Sequence, residues 1–324
     1  MEDDLAHTPS QDLAHTPSHD AASADTEQPP PPGPVLRAPR RARTSLLTWG
    51  TAALVIVIVI VLVVVKVTGT STTTSPTTGP PATPAPSSVV HAITAIPSSV
   101  FDDVGVTSTD VTVSAPVLLQ GQPRLADAGK PEVLFVGGEF CPYCAAERWG
   151  LVAALARFGK FSGLDAMQSA SNEAFPATPT FTFVQTRYHS PYVAAVLIEH
   201  YGEQKNPAGT AYEQLEPLPG ADRVLMDKYG GATPGVPAGT LPFLDVANRA
   251  IVDGASFSPA VFQQLTSAQI ATALSDAKAP STQAVVATAN YLSAAICAAD
   301  GERPADVCTS VGVLAADTAL GLTP

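Results

Sequence analysis

Two pairs of cysteines carry most of the chemistry that this sequence offers. Cys141 and Cys144 enclose Pro142-Tyr143, while Cys297 and Cys308 lie far downstream. In a Cys-x-x-Cys motif, one thiolate can attack a disulfide and the second cysteine can resolve the mixed disulfide that forms. The first pair therefore indicates thiol–disulfide exchange. Cys297 ends an apolar helical segment, so the second pair is expected to be a structural disulfide; a shuttle that passes electrons to the first pair is the alternative.

The residues around the first pair favour a redox role. An apolar run at 132–136 predicts a buried strand, two glycines end it, and a helix starts within the motif. Pro142 suits the first helical turn, which leaves Cys141 at the helix N-terminus, where the dipole and free N–H groups stabilise a thiolate. Structural zinc would need two further ligands, and none is close in sequence, so neither a metal nor a cofactor is expected. The alternatives are an inert disulfide and Cu(I) capture by the two thiolates.

The downstream region alternates strand-like and helix-like segments, which predicts an α/β domain. Besides the strand before the motif, apolar and alternating runs predict strands at 180–184, 241–246 and 250–252, the last two forming a hairpin. Helical periodicity predicts helices at 191–201, about 210–229, 266–276 and 282–297, with a short tail after them.

A hydrophobic segment near the N-terminus predicts a membrane anchor. Residues 46–65 contain no charged side chain and would form a helix about 30 Å long, which matches a bilayer core. Arginines precede the segment and only Lys66 follows it, so the positive-inside rule places the N-terminus in the cytoplasm. A cleaved signal peptide is the alternative, although such peptides are usually shorter. We therefore predict a disordered cytoplasmic tail, a transmembrane helix, a Thr/Pro-rich linker and an extracytoplasmic domain with a C-terminal helical extension, at 1–45, 46–66, 67–88 and 89–324.

The charge of the chain restricts its partners. It carries 29 acidic and 17 basic residues, a formal net charge of −12. Binding to phosphate backbones needs a basic surface, so nucleic acid is excluded as a partner. The expected partners are the lipid bilayer, through 46–65, and cysteine-containing proteins outside the membrane. A membrane redox partner would exchange electrons with the first cysteine pair, and an oxidising compartment would permit disulfides.

Several motifs resemble known families. With its preceding strand and following helix, Cys141-Pro142-Tyr143-Cys144 resembles the active site of the thioredoxin superfamily, and Thr240-Leu241-Pro242 resembles its cis-proline loop. GGEFCPYCAAERW, PATPTFTF, LPFLDVANR and the late cysteine pair resemble, more narrowly, an uncharacterised membrane-anchored prokaryotic family, domain of unknown function 929. The resemblance implies a thioredoxin-like α/β domain. The long stretch between the motif and Pro242 implies a helical insertion at about 186–235.

The resemblance also implies roles for individual residues. Cys141, Cys144 and Pro242 would be catalytic, with Leu241-Pro242 in cis and facing the cysteines. An extended client peptide would lie in a groove around three further residues, Phe140, Tyr143 and Leu241.

The acid that thioredoxins bury beneath the active site has no obvious counterpart, since Phe135 stands at that position. Glu139 and Glu147 are the nearest carboxylates, and both are expected to be exposed charges rather than proton relays. The sequence thus predicts a membrane-anchored thiol–disulfide oxidoreductase. The alternatives are a redox-inactive binding module of the envelope that uses the same fold, and a Cu(I)-handling protein.

Overall fold

The computed structural model describes residues 81–108 and 110–322. The predicted cytoplasmic tail and the predicted transmembrane segment at 46–65 lie outside these residues, as does most of the predicted linker. Within the described ranges, no helix is both long enough and apolar enough to span a membrane. The described fold starts inside the predicted linker, because Thr83–Pro84 pairs with a later strand and a helix begins at Ser87.

The described chain contains both strands and helices, so the fold class is mixed α/β, as predicted. The strands are β1 Thr83–Pro84, β2 Val117–Leu118, β3 Ala126–Asp127, β4 Lys130–Gly138, β5 Lys160–Ser162, β6 Asp165–Gln168, β7 Pro179–Thr182, β8 Arg187–His189, β9 Ala194–Lys205, β10 Tyr212–Gln214, β11 Phe243–Val246 and β12 Ala250–Asp253. The helices are α1 Ser87–Thr94, α2 Ser98–Val104, α3 Pro142–Ala156, α4 Gly220–Tyr229, α5 Ser267–Ala273, α6 Pro280–Asp300, α7 Ala305–Cys308 and α8 Val311–Leu320.

β4 is a central strand of the main sheet. Among the described residues this sheet runs in the order β10-β9-β4-β11-β12-β2, with β3 beside the start of β4. β9 is parallel to β4, whereas β11 is antiparallel to it, with Phe243 opposite Val136. The predicted hairpin is confirmed, since β11 pairs with β12. Because β4 and β11 run in opposite directions, the residues that follow β4 and those that precede β11 meet at one edge of the sheet.

Helices cover both faces of this sheet. Val133 and Phe135 belong to a large apolar cluster that includes residues of α3 and α6. Leu134 and Val136 belong to a second cluster with Tyr229 of α4. All four strand residues are fully buried. A strand that is buried on both faces needs an unbroken apolar run, which explains why this segment shows no polar alternation.

α3, the helix that starts in the cysteine motif, is held firmly in the core. Gly150 allows α6 to approach closely, because a Cβ at this position would lie 2.5 Å from Cγ2 of Thr288. On another side, the Trp149 ring packs against Phe181 with 4.6 Å between ring centroids. The Trp149 indole N–H donates a hydrogen bond to the Pro179 carbonyl oxygen at 2.9 Å. The position of the motif is therefore fixed by buried contacts of its own helix.

The predicted helix at 191–201 is wrong, because this region forms most of β9. Its apolar residues pair in parallel with β4, Ala195 opposite Val133 and Leu197 opposite Phe135. The predicted helix at about 210–229 is wrong in its first half, which contains β10, and correct over α4. A short apolar run cannot be assigned to a buried strand or a helix from periodicity alone.

The expected helical insertion at about 186–235 is also wrong. The segment contains β8, β9, β10 and α4, and both β9 and β10 extend the main sheet. It is therefore part of the sheet rather than an addition to it. The predicted strand at 180–184 is observed as β7, although β7 pairs with β6 in a separate small sheet. After 297 the chain forms two more helices, α7 and α8, instead of only a short tail.

Candidate active site

Cys141 occupies the N-cap position of α3. Its backbone N–H donates a hydrogen bond to the Gly138 carbonyl oxygen at 3.1 Å, which fixes the turn between β4 and the helix. Pro142 takes the first helical position, where its missing N–H leaves no bond unmade. The Cys144 backbone N–H donates to the Cys141 Sγ atom at 3.3 Å. The sulfur thus takes the place of the oxygen in an ordinary N-cap and faces the positive end of the helix dipole.

The loop before β11 lies against this sulfur. The Leu241–Pro242 peptide bond is cis, as predicted. The Leu241 carbonyl oxygen lies 3.8 Å from Cys141 Sγ. This contact follows from the antiparallel arrangement of β4 and β11, which brings the two loops to the same edge of the sheet. The structure therefore brings Cys141 and the Leu241-Pro242 loop together, with Cys144 one turn into the helix.

The two thiols of the motif have different environments. Cys141 is 6% exposed and Cys144 is 0% exposed, and neither forms a disulfide. A hydrogen bond with the Cys144 thiol, the Cys144 N–H and the charge of Arg148 lower the pKa of Cys141 against the effect of burial. Burial raises the pKa of Cys144 well above its usual value, and the neighbouring Cys141 adds to this shift. Cys141 is therefore the more acidic and more accessible thiol, as a nucleophile requires.

A cavity of about 430 Å³ opens beside the motif. Tyr143 and Leu241 line it, together with the loop 233–237 and residues 252–256. Tyr143 is 41% exposed, and its ring packs edge-on against Phe175. Two of the three residues predicted to form a client groove therefore border one cavity, next to the more accessible thiol.

Phe140, the third predicted groove residue, does not line this cavity. Its ring stacks on Tyr212 with 3.8 Å between centroids and lies edge-on to Tyr201. The two tyrosines belong to β10 and β9, which extend the sheet on the side of β4 away from β11. The ring packs on the neighbouring strands because the region expected to be helical forms sheet there, and the assignment of Phe140 to the groove stays a prediction.

The expectation that Glu147 is exposed is wrong. This side chain is fully buried, and its carboxylate accepts hydrogen bonds from the Ser256 backbone N–H at 2.8 Å and the Ser256 hydroxyl at 3.1 Å. Burial raises the pKa of Glu147 to about 7. Ser256 also lines the cavity beside Tyr143. The sequence alone does not show that nearly every residue of α3 is buried, which is why it predicts a surface charge three residues after Cys144.

Glu139, the other nearby carboxylate, is only partly buried. Its Oε1 atom accepts a hydrogen bond from the Thr182 hydroxyl at 2.7 Å. Burial raises its pKa.

Two charged residues beside the motif were missed by sequence reasoning. Arg148 and Glu199 form an ion pair at 2.6 Å, and both side chains are completely buried. The spacing of Arg148, four residues after Cys144, places it on the same face of α3 and was the available signal. Glu199 gave no such signal, because its segment was assigned to a helix rather than to the strand beside β4.

A family model described as Domain of unknown function (DUF929) matches residues 118–298. The chain belongs to this family. The DUF929 match runs from β2 to near the end of α6, so it includes the cysteine motif, the cis-proline loop and Cys297. No curated protein and no solved structure matches the chain. DUF929 membership supplies no activity, and the function has to be argued from the site.

The second cysteine pair lies where the DUF929 match ends. Cys297 and Cys308 form a disulfide, as expected, and each is 1% exposed. Cys297 lies in the last turns of α6 and Cys308 ends α7, with Gly301 in the left-handed region at φ 72° where α6 stops. Among the described residues, the one group of three close candidate metal ligands is these two cysteines with Glu302, and both sulfurs are already bonded to each other.

Proposed function

We propose that this chain is a membrane-anchored thiol–disulfide oxidoreductase that acts on proteins outside the cell membrane. The observation that carries the proposal is the position of Cys141 Sγ, at the N-terminus of α3 and 3.8 Å from the carbonyl oxygen of Leu241, which precedes cis-Pro242. A nucleophilic sulfur at a helix N-terminus, facing a backbone segment that can pair with a peptide, is suited to attack the sulfur of an extended client.

The order of elements supports a thioredoxin-like fold for this domain. A buried central strand, β4, leads into a Cys-x-x-Cys helix, and the parallel strand β9 follows. The antiparallel hairpin β11–β12 then enters through a cis-proline. These features agree with the resemblance of the two sequence motifs to that superfamily.

Exchange at this site would take two displacements. The Cys141 thiolate attacks one sulfur of a client disulfide, a new S–S bond forms, and the second client sulfur leaves as a thiolate that takes up a proton. The Cys144 thiolate then attacks Cys141 Sγ, and the first client sulfur leaves and is protonated. Two electrons and two protons pass from the cysteine pair to the client, and the reverse sequence oxidises a client dithiol.

The cavity beside Tyr143 supports a polypeptide client. It is bordered by the exposed Tyr143 ring and by the cis-proline loop, whose backbone precedes β11. A peptide that added its backbone to this loop would place one side chain in the cavity and a neighbouring cysteine near Cys141. The loop 233–237, rich in proline and glycine, would form the opposite wall.

The proposal also includes an oxidising compartment outside the membrane and a membrane anchor at 46–65. A buried disulfide between Cys297 and Cys308 is typical of an oxidising environment. The uncharged segment at 46–65 and the arginines before it support a single span with this domain outside the membrane.

Trapping of client proteins tests the proposal directly. In the full-length chain, Cys144→Ser removes the resolving thiol, so mixed disulfides with extracytoplasmic proteins should accumulate as high-mass species that disappear on reduction. Cys141→Ser is the matched control: it removes one sulfur from the same motif and should trap nothing. Equal trapping by both variants, or none by either, would contradict the proposal. Tight Cu(I) binding without trapping would favour the metal-handling alternative.

A further inference from the structure

A buried cation contacts the turn that carries Cys141. Arg148 is 0% exposed, and its Nε and Nη2 atoms donate to the two carboxylate oxygens of Glu199 at 2.8 and 2.6 Å. Glu199 also accepts a hydrogen bond from the Phe183 backbone N–H at 3.2 Å. Burying two charges carries a solvation cost, which the attraction between them and their hydrogen bonds must offset. Well-packed apolar residues often stabilise a fold at least as well as a buried ion pair, so the position of this pair beside the cysteines points to a role other than stability.

The contact between Arg148 and the motif passes through one carbonyl group. Arg148 Nη2 donates to the Gly138 carbonyl oxygen at 3.0 Å. The same oxygen accepts the backbone N–H of Cys141 at 3.1 Å. The guanidinium group thus holds the last carbonyl of β4, and through it the turn on which the nucleophile sits. Its remaining nitrogen, Nη1, is buried without a hydrogen-bond partner.

The other charged groups that face this ion pair are carboxyls. Glu139 follows β4, Glu203 lies on β9 beyond Glu199, and Glu216 follows β10 and accepts the backbone N–H of Glu199 through Oε2 at 2.7 Å. Burial raises the pKa of Glu203 to about 7 and also raises the pKa values of Glu139 and Glu216. Of these carboxylates, Glu199 is the one that bonds directly to the guanidinium group, through both of its oxygens, and it is therefore the main counter-charge of the cation.

We propose that Arg148 is a positioning residue which, together with Glu199, sets the reduction potential of the Cys141–Cys144 pair. This inference rests on the proposed exchange function. The guanidinium charge lies closer to the motif than the Glu199 carboxylate does, because it contacts the Gly138 carbonyl that also binds the Cys141 N–H. It stabilises the thiolate, hence the reduced pair. Glu199 holds the guanidinium in place and offsets part of its charge.

The two charges predict shifts of opposite sign. Arg148→Met removes the cation, so the thiolate is less stable and the pair is oxidised more easily. The equilibrium constant for its oxidation by glutathione disulfide should rise at least tenfold, and a tenfold change corresponds to a potential about 30 mV more negative. Glu199→Gln leaves the cation uncompensated, so the same constant should fall at least tenfold. The pKa of Cys141, followed by its alkylation rate against pH, should rise in the first variant and fall in the second.

Two further variants separate electrostatics from folding. Arg148→Met alone strands the Glu199 carboxylate in the core and can unfold the domain. The double variant Arg148→Met, Glu199→Gln removes both charges, and its oxidation constant should still exceed that of the wild type, because the closer charge is lost. Arg148→Lys keeps the charge and should remain nearest to the wild type.

The measurement is the redox equilibrium of the full-length chain with defined ratios of reduced and oxidised glutathione, read by alkylation of Cys141 and Cys144. Shifts in one common direction for Arg148→Met and Glu199→Gln, no shift in the double variant, or failure of all the neutralising variants to fold would overturn the inference and show a purely structural ion pair. If the wild-type pair never equilibrates with glutathione, the proposed function itself fails. Failure of the proposed function is distinguishable from failure of this inference, because it is measured on the wild type alone, before any variant is compared.

Discussion

The two cysteine pairs of this chain show how position decides what a pair of sulfurs can do. Cys141 lies at the beginning of a helix, where N–H groups and a nearby cation favour its thiolate, and it is the more exposed member of an asymmetric pair. Cys297 and Cys308 lie at the ends of α6 and α7, are equally buried, and are bonded to each other. Under the proposed function the first pair would form and break a disulfide, while the second pair is already bonded and closes a loop of the chain. The predictions below test this contrast.

The largest effect is expected for the nucleophile. Cys141→Ser should abolish disulfide exchange with a cysteine-containing peptide, because no other thiol in the described domain combines a helix N-terminus with access to the cis-proline loop. The midpoint of urea unfolding should change little, since a serine can still cap α3. If disulfide exchange persists in this variant, Cys141 is not the nucleophile and the contrast between the two cysteine pairs does not hold.

Removing the second cysteine pair should lower stability and leave disulfide exchange unchanged. Cys297→Ala with Cys308→Ala opens a short loop, and the chain-entropy model gives a loss of about 3 kcal/mol in the free energy of unfolding. Exchange at Cys141 should continue at the wild-type rate in conditions where the variant is folded. The free energy is measured by denaturant unfolding and the rate by peptide oxidation. A folded variant with lost turnover would instead assign an electron shuttle to Cys297 and Cys308.

The buried carboxyl behind the first pair should make stability depend on pH. Folding raises the pKa of Glu147 from 4.5 to about 7, so the native state binds the proton more tightly than the unfolded chain. The stabilisation is complete below about pH 4.5 and is lost as the pH rises towards 7. In Glu147→Gln, the loss in the free energy of unfolding over this pH range should be smaller by up to about 3 kcal/mol. Part of the pH dependence should remain in this variant, because the pKa values of Asp245 and Glu203 are also raised to about 7. Unfolding curves at several pH values in both proteins give the comparison, and an unchanged slope in the variant would contradict it.

The smallest effect is expected at the client cavity. Tyr143→Ala removes an exposed ring from the cavity wall, and an aromatic contact worth about 1 kcal/mol predicts an approximately fivefold slower reaction with a peptide client. Leu314→Ala on α8 is a matched control, since Leu314 is 47% exposed and Tyr143 is 41% exposed. The control should react at the wild-type rate. Equal rates for all three proteins would remove Tyr143 from the client site.

The sequence predicted those features that depend on local signals. The strand at β4, the helix start at Pro142 and the hairpin β11–β12 each follow from apolar runs, proline placement or turn residues. The cis bond at Leu241–Pro242 was expected from the resemblance alone. The apolar run of β9 was assigned to a helix because a buried strand and a helix share that pattern when the partner strand is unknown.

The parts of the site that the sequence missed depend on tertiary burial. Glu147 and Arg148 lie three and four residues after Cys144, yet their burial arises from packing of α3 against β7, α6 and the residues after β12. The packing of the Phe140 ring on the tyrosines of β9 and β10 also depends on the order of strands in the sheet, which the sequence did not show. The sequence indicated which residues lie near Cys141 Sγ. Only the order of the strands showed on which side of β4 each of them packs.

The reduction potential of the Cys141–Cys144 pair tests the central claim most directly. It is measured on the full-length chain in glutathione buffers, with Cys297 and Cys308 intact as an internal reference. We expect a single two-electron transition between about −120 and −270 mV for the first pair, the range of exchange-active dithiols, while the second pair stays oxidised in the same buffers. A first pair that opens only well below about −300 mV, together with the second pair or after it, would identify Cys141–Cys144 as a structural bridge and contradict the account.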